Sequence, residues 1–200
     1  MTRPTDSPQV LCIVGSPRRY GNSELLLDAL IEGVESAGGT ATKLVASQAG
    51  VKVCRGCNAC SLDGKCIQRD GMDKVYEALD SADALAVASP VFFTTVPAVL
   101  KTLLDRCQPY WARRYVLHEP APEHRRPGAI LIVGGGGDPY GTTCALNPIK
   151  SVYAVLSVTA DHVIEVVGPD KPGDILMQPK TLEKARRAGI TLVEEARKQR

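Results

Sequence analysis

Five short, largely apolar runs alternate with helical patterns along this 200-residue chain. The runs cover residues 10–14, 41–45, 84–88, 129–133 and 163–167. Runs of this length are typical of buried strands in a parallel sheet, and the segments between them are long enough for crossover helices. The sequence therefore predicts an α/β fold, a three-layer sandwich in which helices cover both faces of one doubly wound parallel sheet.

Helical spacing of apolar residues predicts the covering elements. The predicted helices span about 23–37, 73–81, 97–107, 147–159 and 181–198. Pro109, Tyr110 and Trp111 are predicted to end the third of them, and residues 113–127 to form a surface excursion. We expect residues 1–200 to form a single domain, with a cysteine-rich insertion at about 47–70.

Composition narrows the class of protein. The formal net charge is only +2, so neither nucleic acid nor an anionic membrane surface is indicated as a partner. No apolar run approaches the length of a membrane span, and the first ten residues do not resemble a signal peptide. We therefore expect a cytoplasmic protein. In a reducing compartment its seven cysteines are thiols, metal ligands or redox groups rather than a disulfide framework.

Three loops of unusual composition follow predicted strands, at the edge where doubly wound sheets bind ligands. They cover 16–23, 89–95 and 134–142. In the first, the candidate binding residues are Ser16, Arg18, Asn22 and Ser23, with Asn22 and Ser23 placed to cap the next helix. Backbone N–H groups at a helix start and a nearby cation favour phosphate. An ordinary, well-capped βα turn is the alternative. The loop has neither a Walker lysine nor G-x-G-x-x-G spacing, so neither a triphosphate nor a dinucleotide is favoured as its ligand.

The second and third loops suggest a planar ligand close to the backbone. In the second, Phe92 and Phe93 can lie against a ring, or can simply cover the core. The third contains four successive glycines, which permit close approach of a ligand or make the loop flexible. The candidate ligand-contacting residues in these loops are Ser89, Pro90, Val91, Phe92, Phe93, Thr94, Gly134, Gly135 and Gly136.

Four cysteines lie within a short stretch, in the pattern C-x2-C-x2-C-x5-C. They are Cys54, Cys57, Cys60 and Cys66. Structural zinc sites usually pair two separated hooks, whereas three closely spaced cysteines and a fourth are more typical of a ferredoxin-like run that binds a [4Fe–4S] cluster. Unlike the bacterial ferredoxin pattern, the last cysteine is followed by Ile67 rather than proline. Free thiols that bind no metal are the remaining alternative.

In combination, three motifs resemble the iron–sulfur flavoproteins within the NADPH-dependent FMN reductase group. They are G-S-P-R-R-Y-G-N-S, C-R-G-C-N-A-C-S-L-D-G-K-C and A-S-P-V-F-F-T-T-V-P-A-V-L-K-T-L-L-D-R-C. The resemblance implies a flavodoxin-like fold with strand order 2-1-3-4-5. It also implies FMN, with its phosphate in the first loop and its ring against the second, and a [4Fe–4S] cluster on the four cysteines.

The resemblance implies an FMN-dependent oxidoreductase that transfers electrons between flavin and cluster. NAD(P)H, ferredoxin or a quinone are the expected electron donors and acceptors, and a homodimer or homotetramer is expected. One alternative is a cluster-free NAD(P)H-dependent FMN or quinone reductase. A second is a zinc-bearing, non-enzymatic module on the same scaffold. No specific general acid or base is indicated, so no catalytic residue is assigned.

Overall fold

The computed structural model describes residues 7–137 and 140–199. Its five strands are β1 (Gln9–Val14), β2 (Thr40–Val45), β3 (Ala84–Pro90), β4 (Gly128–Gly134) and β5 (His162–Val167). Neighbouring strands pair in parallel, in the order β2-β1-β3-β4-β5. The predicted doubly wound sheet and its strand order are therefore confirmed, and each strand is one or two residues longer than its predicted run.

Helices cover both faces of this sheet. In chain order they are α1 (Asn22–Ser36), α2 (Cys60–Asp63), α3 (Met72–Ser81), α4 (Ala98–Asp105), α5 (Gln108–Tyr115), α6 (Thr143–Val155) and α7 (Pro179–Lys198). α1 and α7 pack on one face, and α3, α4 and α6 pack on the other. Within the described residues, none of these helices combines the length and the apolar character that crossing a membrane requires.

The face under α1 and α7 is built for close packing. Because side chains alternate along a strand, β3 directs Ala84, Ala86 and Ala88 to this face. α1 and α7 also meet backbone to backbone, since a Cβ atom added at Gly33 would overlap the carbonyl oxygen of Arg186. The small residues let both helices lie close to each other and to the sheet.

The prediction that Pro109, Tyr110 and Trp111 end a helix is wrong. These residues instead lie at the start of α5, directly after α4. Proline is tolerated in the first turn of a helix because its missing N–H would have no partner there. Tyr110 is buried, and its hydroxyl donates to Asp80 at 2.7 Å. The surface excursion therefore begins only after Tyr115.

The helix predicted at 147–159 is displaced toward the N-terminus. α6 begins at Thr143 and contains Pro148 in its interior, which removes one backbone hydrogen bond. It ends at Val155 because the following residues pair with another segment, and Val158 forms a parallel bridge with Arg126. Near the C-terminus, α7 begins at Pro179, two residues before its predicted start.

Candidate functional site

The predicted loops meet in one cleft at the carboxyl edge of the sheet, with a cavity of about 120 Å³. The residues that line it are Ser16, Arg18, Arg19, Gly21, Asn22, Ser23, Pro90, Val91, Phe92, Val133, Gly135, Pro169, Asp170 and Pro172. The segments that follow β1, β3 and β4 are the ones expected from the sequence to form this cleft. The wall formed after β5 is one that sequence reasoning misses, because its prolines and Asp170 have no recognisable binding pattern.

Five predicted site residues do not line this cleft. Ser89 is buried at the end of β3, and its hydroxyl donates to the Pro90 carbonyl at 2.9 Å. Gly134 is buried as the last residue of β4, and the other three, Phe93, Thr94 and Gly136, lie outside the cavity lining. Residues 138 and 139 of the third loop lie outside the described residues. Ligand contact by any of these positions stays a prediction.

The first loop is closed by its own hydrogen bonds. The Ser16 hydroxyl accepts from the Arg18 N–H and donates to the Arg18 carbonyl, both at 3.0 Å. Among the described residues, no carboxylate lies within ion-pair distance of the Arg18 guanidinium. The Arg18 guanidinium, which has no counter-ion among residues 7–137 and 140–199, thus lies beside the N-terminus of α1, where the first N–H groups have no partner within the helix.

The prediction that Asn22 and Ser23 cap α1 is wrong. Gly21 occupies the cap position, and no side chain caps the helix. The Asn22 side chain instead holds the segment after β5. Its oxygen accepts from the N–H groups of Gly173 and Ile175 at 3.0 and 3.2 Å, and its nitrogen donates to the Lys171 carbonyl at 2.9 Å. Asn22 therefore fixes one wall of the cleft, rather than presenting a free amide to it.

Glu24, a residue that sequence reasoning misses, holds the first loop in place through contacts with Arg19 and Tyr20. Its fully buried carboxylate lies 2.9 Å from the Arg19 guanidinium and 2.8 Å from the Lys43 ammonium, and accepts from the Tyr20 N–H at 2.6 Å. Burial opposes ionisation, but the hydrogen bonds from Arg19 and Lys43 outweigh it and lower the pKa of Glu24 to about 2. A Glu in the first helical turn after a polar loop is the signal that indicates such a contact.

The second loop ends in a tight turn with an exposed aromatic tip. Phe92 and Thr95 exchange backbone hydrogen bonds of 2.8 and 3.1 Å. The two residues between them, Phe93 and Thr94, have φ angles of 46° and 68°, in the left-handed region that favours glycine. The Phe93 side chain is 99% exposed. It does not cover the core, so that alternative is wrong for Phe93.

The four cysteines of the central stretch line one small cavity next to α5. Cys54 and Cys57 are exposed, whereas Cys60 and Cys66 are half-buried. Burial raises the pKa of the Cys60 thiol, and charge on the other three thiols raises it further. In the described residues, no three His, Cys, Asp or Glu side chains are arranged so that they could hold a single metal ion. The quartet is gathered in one place, but not in the geometry of a mononuclear site.

A buried ion pair joins this stretch to the end of α4. The Arg106 guanidinium, which also lines the cysteine cavity, lies 2.7 Å from Asp70. Burial of the Asp70 carboxyl is outweighed by this hydrogen bond, and its pKa is lowered to about 2. Asp70 also accepts from the Lys52 N–H at 3.0 Å and the Met72 N–H at 2.9 Å. The pair therefore connects both ends of the cysteine stretch to the core.

Comparison with known proteins identifies the family. The model of the NADPH-dependent FMN reductase family matches residues 8–162. The chain belongs to this family. Its curated relatives include an "Iron-sulfur flavoprotein" of Archaeoglobus fulgidus, 32% identical over 91% of this chain and 77% of the relative. Another protein of that name, from Methanosarcina thermophila, is 34% identical over 62% of this chain and 61% of the relative.

Solved structures confirm the flavodoxin-like fold of this FMN reductase family member. An NAD(P)H:quinone oxidoreductase from Methanothermobacter marburgensis superposes with a TM-score of 0.67 at 22% identity, and covers 93% of this chain and 97% of its own. An archaeal flavodoxin gives a TM-score of 0.59 at 18% identity, over 94% and 98%. With the family match, the protein is an FMN-dependent oxidoreductase of the iron–sulfur flavoprotein group.

Proposed function

We propose that this oxidoreductase holds FMN in the cleft at the carboxyl edge of the sheet. The observation that carries the proposal is the Arg18 guanidinium beside the N-terminus of α1, which has no ion-pair partner in the described part of the chain, in a loop that Glu24 and Ser16 hold in shape. This arrangement suits a phosphate dianion. Sites that enclose a whole ligand have volumes of roughly 300–1,000 Å³. A cleft of about 120 Å³ therefore suits the phosphate end of FMN, with the ring on the open rim near Phe92.

Phosphate recognition by Arg18 is tested with two flavins. A hydrogen bond to a charged group contributes about 1.5–3 kcal/mol, so Arg18→Gln should weaken FMN binding roughly 10- to 150-fold. Riboflavin, which lacks the phosphate, should bind both proteins equally. Affinity is measured by flavin fluorescence on cofactor-stripped protein, with the exposed, distant Arg187→Gln as the control. Equal losses for FMN and riboflavin would contradict phosphate contact by Arg18.

We also propose that Cys54, Cys57, Cys60 and Cys66 ligate one [4Fe–4S] cluster. Four thiols that line one cavity suit a [4Fe–4S] cluster, which takes four cysteine ligands. Gly56 and Gly64, both at positive φ, provide tight turns around the quartet. FMN held in the cleft would supply two-electron chemistry, and a cluster held by the four cysteines would supply one-electron exchange.

The electron donor in this proposal is NAD(P)H, and the acceptor is a quinone or a ferredoxin-like protein. Family membership supports a reduced nicotinamide as donor, and the cluster would suit single-electron exchange with a second protein. The cluster-free NAD(P)H-dependent reductase is the competing proposal. Both give the same flavin chemistry and differ only in what the cysteines hold.

The cluster is tested on protein purified without oxygen. We expect about four irons and four acid-labile sulfides per FMN, with a broad visible absorption that dithionite bleaches. Cys57→Ser should lose iron and keep FMN. Cys144→Ser, which changes an exposed thiol outside the quartet, should keep both. Flavin without iron would establish the cluster-free reductase, and one zinc per chain would refute the iron–sulfur assignment.

A further inference from the structure

Arg106 places a buried positive charge directly against the cysteine quartet. Its side chain is 1% exposed, and its Nη2 atom lies 3.6 Å from the Sγ atom of Cys66, within hydrogen-bond distance for sulfur. The same guanidinium donates to both oxygens of Asp70, at 2.7 and 3.3 Å, and its Nη1 also donates to the Lys52 carbonyl at 2.8 Å. The contact to sulfur is thus made by a group that cannot easily turn away.

The guanidinium also has an unused donor. The Nε atom of Arg106 is buried and has no hydrogen-bond partner, and no other buried side-chain nitrogen or oxygen in residues 7–137 and 140–199 shares this condition. Buried donors are nearly always satisfied. Arg106 lines the same cavity as all four cysteines, so an acceptor in that cavity would satisfy the Nε–H group. The sulfide and thiolate sulfurs of a cluster are such acceptors.

We propose that Arg106 is a positioning residue that donates hydrogen bonds to the sulfur atoms of the cluster and raises its reduction potential. The inference rests on the proposed cluster. Reduction adds negative charge to the cluster, and a fixed cation with N–H groups toward its sulfurs favours the reduced state. Asp70 holds the guanidinium in place through both of its carboxylate oxygens. If the Arg106–Asp70 pair served only to attach the cysteine stretch to the end of α4, replacing Arg106 would leave the reduction potential of the cluster unchanged.

Arg106→Lys tests this inference because it keeps the charge and removes the planar fork of donors. Arg113→Lys is the matched control. Arg113 holds the same stretch through a hydrogen bond of 2.9 Å to the Gly64 carbonyl, and none of its hydrogen bonds among the described residues goes to a cysteine. Arg106→Gln combined with Asp70→Asn removes both charges together, so that no buried charge is left unpaired.

The measurement is a redox titration of the anaerobically purified full chain, followed by EPR for the cluster and by absorption for FMN. Iron and sulfide content are determined first. Arg106→Lys should lower the equilibrium constant for cluster reduction about tenfold, which is about 59 mV for one electron. The double variant should lower it further. The FMN potential, and both potentials of Arg113→Lys, should not change.

The outcomes separate this inference from the proposed function. A native protein without iron and sulfide would refute the cluster itself, and with it the role of Arg106. A native cluster whose potential is the same in both Arg106 variants would overturn the inference and leave the cluster standing. Variants that fold and bind FMN but retain no iron would also overturn it, in favour of a purely structural role.

Discussion

Glu24 holds the first loop of the cleft through two ion pairs, and its charge can be removed with little change in side-chain size. Glu24→Gln keeps the size of the side chain but leaves the Arg19 guanidinium without its carboxylate. Lys43 keeps a second partner, Asp28, at 2.6 Å. We therefore expect the variant to fold with the first loop less firmly held, and the native state to lose stability at neutral pH.

The size of this loss follows from the pKa of Glu24. The structure lowers it from 4.5 to about 2. At about 1.4 kcal/mol per pKa unit, the ionised carboxylate contributes about 3 kcal/mol to stability. Since the folded-state pKa lies below the unfolded-state value, this contribution is complete above about pH 4.5 and disappears as the pH falls toward 2. The native protein should thus approach the variant in stability as the solution is acidified.

The assay is urea unfolding followed by circular dichroism, at neutral pH and at steps into the acid range. It is done with and without saturating FMN, because a bound ligand adds its own stabilisation. Glu32→Gln is the matched control on the same helix. Glu32 forms an exposed ion pair with Arg186, so its loss should stay below about 1 kcal/mol. Equal losses for the two variants, or a Glu24→Gln deficit that persists undiminished in acid, would refute the argument.

Three further predictions concern packing, the turn and the thiols. Gly33→Ala should destabilise the protein by about 3 kcal/mol in urea unfolding, because the added methyl group overlaps the Arg186 carbonyl. Phe93→Gly should not lower the melting temperature, since relief of about 1–2 kcal/mol of left-handed strain offsets the entropic cost of glycine. Burial raises the pKa of Cys107 to about 12, so in peptide mapping a disulfide reagent should label Cys144 and leave Cys107 unlabelled until the protein unfolds.

The sheet could be predicted from the sequence because its strands are determined locally. Short apolar runs such as 84–88 and 129–133 have no alternative to burial, and parallel pairing places their carboxyl ends at one edge. The meeting of Arg18, Phe92 and Gly135 in one cleft follows from that topology alone. No contact between distant side chains had to be known.

The errors have equally definite causes. Pro109 breaks helical patterns in general but is well placed in the first turn of α5, and the pattern alone does not separate the two cases. Asn22 stands where caps occur, yet its amide bonds a segment about 150 residues away. Lys43, a partner of Glu24, lies 19 residues away along the chain, and Asp70, the partner of Arg106, lies 36 residues away. Such pairings depend on the folded topology, which periodicity does not describe.

Hydrogen bonds join the two ends of the cysteine stretch, and this has a consequence for the length that the stretch can have. Gly71 donates to the Gly50 carbonyl at 3.2 Å, next to the bond between Lys52 and Asp70. The chain between Lys52 and Asp70 is therefore a loop whose two ends are held together by the rest of the fold. Doubling the length of such a loop costs only about 0.6 kcal/mol of closure entropy. Insertions in this loop should therefore cost little stability and require no adjustment of the sheet beneath it.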